Sequence, residues 1–259
     1  MGIQTKKISA WLSANGQAVT NASKNSMIEA INANSLQMYD GVFIIYHRLS
    51  DSFPLAVRVS DWPALQAAGQ IADGVLLVEG GKHVVIAPTE ASAGLPWSSK
   101  PTKIKDSEGN DASKGDGVQI SGVTTTGDRL IAFADFTGKA NTAAIIKAST
   151  TTNITNTADY APGFCNKYAR ANANGKGLLA GSWWLPSLAE LALIWANFDK
   201  VNYALSKITG ATLLQKAWYW SSTQGSADIA WTLHLSVGVM NAAYKFRQGR
   251  VRPVSAFLW

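Results

Sequence analysis

Between residues 185 and 235 the apolar period of the chain switches from helical to strand-like, and this switch limits the possible folds more than any other feature. In LPSLAELALIWANF (185–198), Leu188, Leu191, Trp195 and Phe198 recur at three- and four-residue intervals and give one apolar face. Pro186 sets the start, and Ser187 with Glu190 has the S-x-x-E spacing in which each side chain satisfies the other's exposed amide. The pattern continues through Val201, Leu205 and Ile208 to Gly210, a left-handed cap. Beyond it Trp231, Leu233 and Leu235 alternate with Thr232, His234 and Ser236, which predicts a strand with its large apolar residues on one face.

Upstream, GVFIIYH (41–47) and GVLLVEGGKHVVIAP (74–88) are short β-branched runs, the second broken by Gly80-Gly81 as in a hairpin. Residues 98–128 are dominated by Gly, Asp, Ser, Lys and Thr and predict long surface loops. RLIAFADF and NTAAIIKA follow as short apolar pieces. TTTNITNTAD then leads to a helix around YAPGFCNKYARANANG, and residues 251–257 predict a closing strand. Strands, then two main helices, then strands argue for an α+β domain with irregular loops and a mixed or antiparallel sheet. It is expected to span residues 38–259. Residues 1–37 are polar and Asn/Ser/Ala-rich, with one narrow stripe of Met27, Ile28, Ile31 and Leu36. They are expected to form an amino-terminal extension for attachment or homo-oligomerisation.

A chain of 259 residues with 47% hydrophobic content supplies a sizeable core. The lone Cys165 has no partner for a disulfide, a Cys-rich metal site or a redox pair, and is expected to be a buried structural thiol. No run of about 18 apolar residues is present, which excludes a membrane-spanning helix, and the amino end lacks the order of a secretory signal. The net charge is +6, yet only 15% of residues are charged and the longest basic cluster is KFRQGRVR (245–252), so nucleic acid is not the expected partner.

No nucleophile elbow, paired carboxylates or His/carboxylate set has useful spacing, so no catalytic residue is assigned. His47, His83 and His234 stand in separate strand-like segments without a metal-binding companion, and neither metal nor cofactor is expected. The glycines at 80–81 and 175–177 lack the partners of a phosphate loop. Ten tryptophans are heavy usage. Indole faces suit sugar rings, but Trp183, Trp184, Trp220 and Trp231 have apolar or strand-like neighbours and are expected in the core.

The ordered words GGKHVVIAPTEASAGLPW, YAPGFCNKYARANANGKGLLAGSWWLPSLAELALIWAN, VNYALSKITGAT, WYWSSTQGSADIAWTL and RVRPVSAF resemble the C-type-lectin-fold variable proteins of diversity-generating retroelements, most closely those of Bacteroides-type bacteria and their phages. The match covers roughly residues 70–259, and WWLPSLAE, YWSST and RVRPVSAF carry it together and in that order. The resemblance implies a C-type lectin-like fold of the formylglycine-generating-enzyme subtype. It also implies a reverse transcriptase that rewrites adenine positions in the last part of the gene, here about residues 217–257.

An AAC or AAT codon randomised at its adenines never encodes Trp, Met, Gln, Lys or Glu. Under that implication Gln224, Trp231, Met240, Lys245 and Gln248 are scaffold, as are Trp183, Trp184, Trp220 and Arg252. The candidate variable, ligand-binding positions lie between them: Gly225, Asp228, Ile229, Thr232, His234, Val237, Val239, Asn241, Ala242, Ala243, Tyr244, Phe246, Arg247 and Gly249. Strand alternation also turns Thr232 and His234 outward.

Two departures narrow the implied function. The carboxylate-rich EPN or QPD and WND words of calcium-dependent lectins do not occur, so no calcium-mediated sugar site is expected. Formylglycine-generating chemistry needs a cysteine pair, and the chain has one cysteine. The expected function is non-catalytic recognition of a protein or glycan on a cell surface, by an extracellular or virion-associated protein such as a phage tail tip or displayed adhesin. An unvaried carbohydrate-binding module is the first alternative and a formylglycine-generating-type oxidase the second.

Overall fold

A computed structural model describes residues 39–98, 103–105, 108–109, 111–113, 117–148 and 157–256, with single positions 13, 20 and 24. The amino-terminal stripe of Met27, Ile28, Ile31 and Leu36 lies outside the described residues, as does Phe257. Strands β1 (Gly41–His47), β2 (Pro54–Arg58), β3 (Ala72–Glu79), β4 (Lys82–Ile86) and β12 (Val254–Ser255) form an antiparallel sheet in the order β12-β4-β3-β1-β2. The β3–β4 turn is Gly80-Gly81 with φ of +55° and +74°, the double positive φ that a tight hairpin requires and that glycine adopts without strain. Strands β9 (Trp218–Gln224), β10 (Ile229–His234) and β11 (Met240–Tyr244) form a second antiparallel sheet with β10 in the centre.

The molecule is therefore α+β, as expected, with two main antiparallel sheets among the described residues. Among the described residues its helices are more numerous than the two main ones expected. They are α1 (Trp62–Ala67), α2 (Arg129–Ala134), α3 (Gly138–Ala148), α4 (Ala161–Lys167), α5 (Leu188–Ala196) and α6 (Phe198–Leu205). RLIAFADF and NTAAIIKA supply α2 and α3, where Asp128 caps α2 by accepting from the amides of Leu130 (2.7 Å) and Ile131 (3.2 Å). The hairpin β5 (Lys103–Lys105) and β6 (Asp111–Ser113) interrupts the expected loops at 98–128, and β7 (Arg170–Ala171) pairs with β8 (Gly177–Leu178).

The expected continuous helix from 188 to 208 is broken at Asn197, which closes α5 and opens α6. Its amide group donates to Glu79 Oε2 on β3 and to Leu193 O at 3.2 Å, so the break is fixed by a side chain that serves both elements. Helix α6 ends at Leu205, and Gly210 (φ +75°) serves the turn beyond it.

Both sheets are covered on both faces. On the first, Ile44, Val75, Leu77, Val84 and Ile86 meet α5, α6 and one face of β9 and β10 through Tyr219, Trp231, Leu233 and Leu235. Its other face carries Phe43, Ile45, Leu76 and Val85 beneath Trp183. The second sheet turns Trp220 and Ala230 into a separate cluster with Trp97, Ile145, Tyr160 and Cys165. Burial on both faces explains why β3 reads as a nearly unbroken apolar run.

Candidate functional site

The carboxyl-terminal segment is held by residues that the genetic-code argument fixes. Gln224 Oε1 accepts from Ile120 N and Thr125 Oγ1, both at 3.2 Å, and its amide donates to Val118 O at 3.2 Å. Lys245 Nζ donates to the same carbonyl at 2.9 Å and lies 4.5 Å from the centre of the Trp97 ring. Both side chains are buried, and together they tie the ends of β9 and β11 to residues 118–125. Trp231 adds a bond from its indole to Thr126 O at 2.9 Å. Met240 is half-buried, whereas Gln248 is exposed.

The SST of the YWSST word is a polar seam inside the core. Thr223 Oγ1 donates to Asp135 Oδ2 at 2.7 Å and accepts from Leu188 N at 3.1 Å, which satisfies an open amide at the start of α5. Ser221 Oγ donates to Trp231 O at 2.8 Å, and Ser222 N to Pro186 O at 2.7 Å. Glu190 closes its half of the expected capping box, with Ser187 N donating to Glu190 Oε2 at 2.8 Å, while the buried Ser187 Oγ makes no hydrogen bond among the described residues. Burial pushes the Glu190 carboxyl up to about 7, against the opposing bonds from Ser187 and Trp184. Trp183, Trp184, Trp220, Trp231 and Arg252, expected as scaffold, are all buried.

Of the candidate variable positions, Val237 (61% exposed), Val239 (53%), Tyr244 (45%), Asn241 and Arg247 face solvent. Gly225, Asp228, Ile229, His234, Ala242, Ala243 and Phe246 are half-buried, and Phe246 stacks on Tyr244 with ring centres 5.9 Å apart. Two positions contradict the expectation. Thr232 is 3% exposed and donates to Asn241 O at 2.9 Å, because β10 is the central strand and the second core cluster covers the face that alternation assigned to solvent. Gly249 is buried, and a Cβ there would lie 2.7 Å from Trp220 Nε1. The code permits both residues to vary; the packing does not.

The structure adds Trp218, which the codon argument leaves out. It is 39% exposed and meets the His234 ring edge-on at 5.0 Å, beside the loop that carries Val237 and Val239. Its exposure is visible in sequence only as the first residue of WYW, whose next two members point into opposite clusters.

Cys165 is buried and its thiol is pushed well up by desolvation, so it is a poor nucleophile. His47 Nδ1 pairs with Asp73 Oδ2 at 2.5 Å, and His83 is exposed. Among the described residues no group of three or more His, Cys, Asp or Glu side chains is placed to hold a metal, and no helix is long and apolar enough to cross a membrane.

No protein-family model matches the sequence, and no curated protein matches it. Among solved structures, the chain is similar to the crystal structure of a fimbrial protein from Bacteroides ovatus, with 18% identity and a TM-score of 0.43. The similarity covers 68% of this chain and 36% of that one, so the chain spans about a third of that protein's length.

Proposed function

We propose that the chain is a non-enzymatic recognition protein whose C-type lectin-like domain, residues 38–259, presents a carboxyl-terminal surface diversified by a retroelement. The observation that carries this reading is the division of one short segment. Gln224, Trp231 and Lys245, of types that adenine randomisation cannot produce, are buried and bonded into the core, while Val237, Val239, Asn241, Tyr244 and Arg247, of types it can produce, are exposed. Such a division lets side chains change without unfolding. Exposed substitutions usually stay within about 0.5 kcal/mol, whereas core truncations cost about 2–5 kcal/mol. Tyr244 and Arg247 are of the kinds that anchor interfaces, and Asn241 supplies adaptable hydrogen bonds.

The proposed target is a protein or glycan on a cell surface, met by an extracellular or virion-associated protein without metal or cofactor. The test is to sequence the flanking locus and this gene's terminal segment in many descendants of one clone. Changes confined to adenine positions of the exposed codons, beside a template repeat and a reverse transcriptase gene, are expected. A uniform segment with no such neighbours would overturn diversification.

A second reading rests on Trp218. An exposed indole set against His234 suits stacking on a sugar ring in an unvaried carbohydrate-binding module. Glycan-array binding abolished by Trp218→Ala, with a uniform terminal segment, would favour it.

A further inference from the structure

The second sheet ends in an open edge. In the β10–β11 ladder, His234 N donates to Val239 O at 2.9 Å and Lys245 N to Asp228 O at 3.0 Å. In the same register Thr232 faces Asn241 and Ala230 faces Ala243, so the backbone groups of Asn241 and Ala243 turn towards β10. By the alternation of an antiparallel pair, those of Met240, Ala242 and Tyr244 turn away from it. Among the described residues only the carbonyl of Tyr244 finds a partner, Arg247 N at 2.9 Å. The N–H and C=O of Met240 and Ala242 and the N–H of Tyr244 are left pointing outward as a row.

Natural sheets usually blunt such edges with charge, proline, bulges, shortness or a covering loop. The other edges of the two main sheets are treated that way. Strand β2 begins with Pro54 and ends with Arg58, β12 has two residues, and the free side of β9 is closed by Trp220 N to Arg250 O and Arg250 N to Trp218 O, each 3.0 Å. Strand β11 reads MNAAY, with no charge, no proline and no register shift against β10.

We infer that the outer edge of β11 is a strand-addition site that takes an extended segment of a target protein. This rests on the reading of the carboxyl-terminal surface given above and names its partner class as polypeptide. A surface whose side chains are replaced needs a source of affinity that survives replacement, and main-chain hydrogen bonds provide it. The added strand is anchored by the backbone of Met240, Ala242 and Tyr244, while Asn241, Tyr244 and the neighbouring Val239 read its side chains. A second copy of β11 is a poorer occupant, since each substitution at Asn241 or Tyr244 would have to match itself across the pair.

The probe is a displayed library of linear, randomised twelve-residue peptides selected on the immobilised full chain. Selected peptides are then titrated against the original chain, Ala242→Pro and Ala242→Ser. Proline at 242 removes one outward donor and no ladder bond, so it is compatible with an edge position. Binding is expected to weaken at least tenfold in Ala242→Pro and less than threefold in Ala242→Ser. Should the proline variant fail to fold, as judged by circular dichroism, amide exchange on the original chain decides. Bound peptide is expected to slow exchange at Met240, Ala242 and Tyr244, with the amides of Asn241 and Ala243 unaffected. Selection of no peptide, equal affinity for the proline variant, or exchange unchanged at those three amides would overturn the inference. So would a dimer of the chain that Ala242→Pro dissolves. Edge binding with a genetically uniform terminal segment would keep the strand-addition site and discard diversification; variation in exposed codons with no effect at Ala242 would do the reverse.

Discussion

At the scale of single residues, Thr232 and Gly249 separate what the genetic code allows from what packing allows. A larger side chain at either must displace core atoms, with Trp220 in the way at Gly249. Thr232→Tyr and Gly249→Asn are each expected to destabilise by about 1–3 kcal/mol, and Asn241→Tyr by no more than about 0.5 kcal/mol, measured by urea unfolding. Under the proposed diversification, the codons of Thr232 and Gly249 are therefore expected to stay constant while those of Asn241, Tyr244 and Arg247 change. Tyr244→Ala is expected to weaken binding to a verified target at least tenfold with the melting temperature unchanged.

At the scale of elements, the start of α5 carries a pH dependence. The Glu190 carboxyl stands at about 7 in the folded chain, above its ordinary 4.5. The folded state thus holds this proton more tightly than the unfolded state, and the contribution of Glu190 to stability is full below about 4.5 and falls as pH rises to about 7. Its slope is at most about 1.4 kcal/mol per pH unit. Glu190→Gln is expected to flatten the stability profile between pH 5 and 7, followed by denaturant unfolding across that range. The helix break is likewise local in cause: Asn197→Ala loses the bonds to Glu79 and Leu193 O and is expected to cost about 1–2 kcal/mol. The Glu190 half of the capping box and the Gly-Gly turn were legible because each rests on neighbours in sequence. The break was not, because its decisive partner, Glu79, lies 118 residues away.

At the scale of the whole molecule, one ionic cluster, buried at Glu90 and Arg252, ties the carboxyl-terminal segment to the first sheet. Glu90 accepts from Arg250, from Arg252 at 3.2 Å and from Tyr219 Oη at 2.7 Å, while Arg252 also donates to Ala87 O at 3.0 Å and Thr212 O at 2.9 Å. The RVRP word is thus a clamp that fixes the candidate surface on a rigid base. Glu90→Ala leaves the Arg252 charge buried without its carboxylate and is expected to lose about 3–5 kcal/mol, read by thermal unfolding.

The sequence by itself determined the mixed class, the β3–β4 hairpin, the start of α5 and the buried tryptophans, because periodicity, turn glycines and capping are set by residues close in the chain. Only the tertiary structure decided that β10 is covered on both faces, that Gly249 is pressed against Trp220, and that the backbone of β11 lies open. Each depends on which distant element packs where, and a period of two shows that a strand has two faces but not what stands against each.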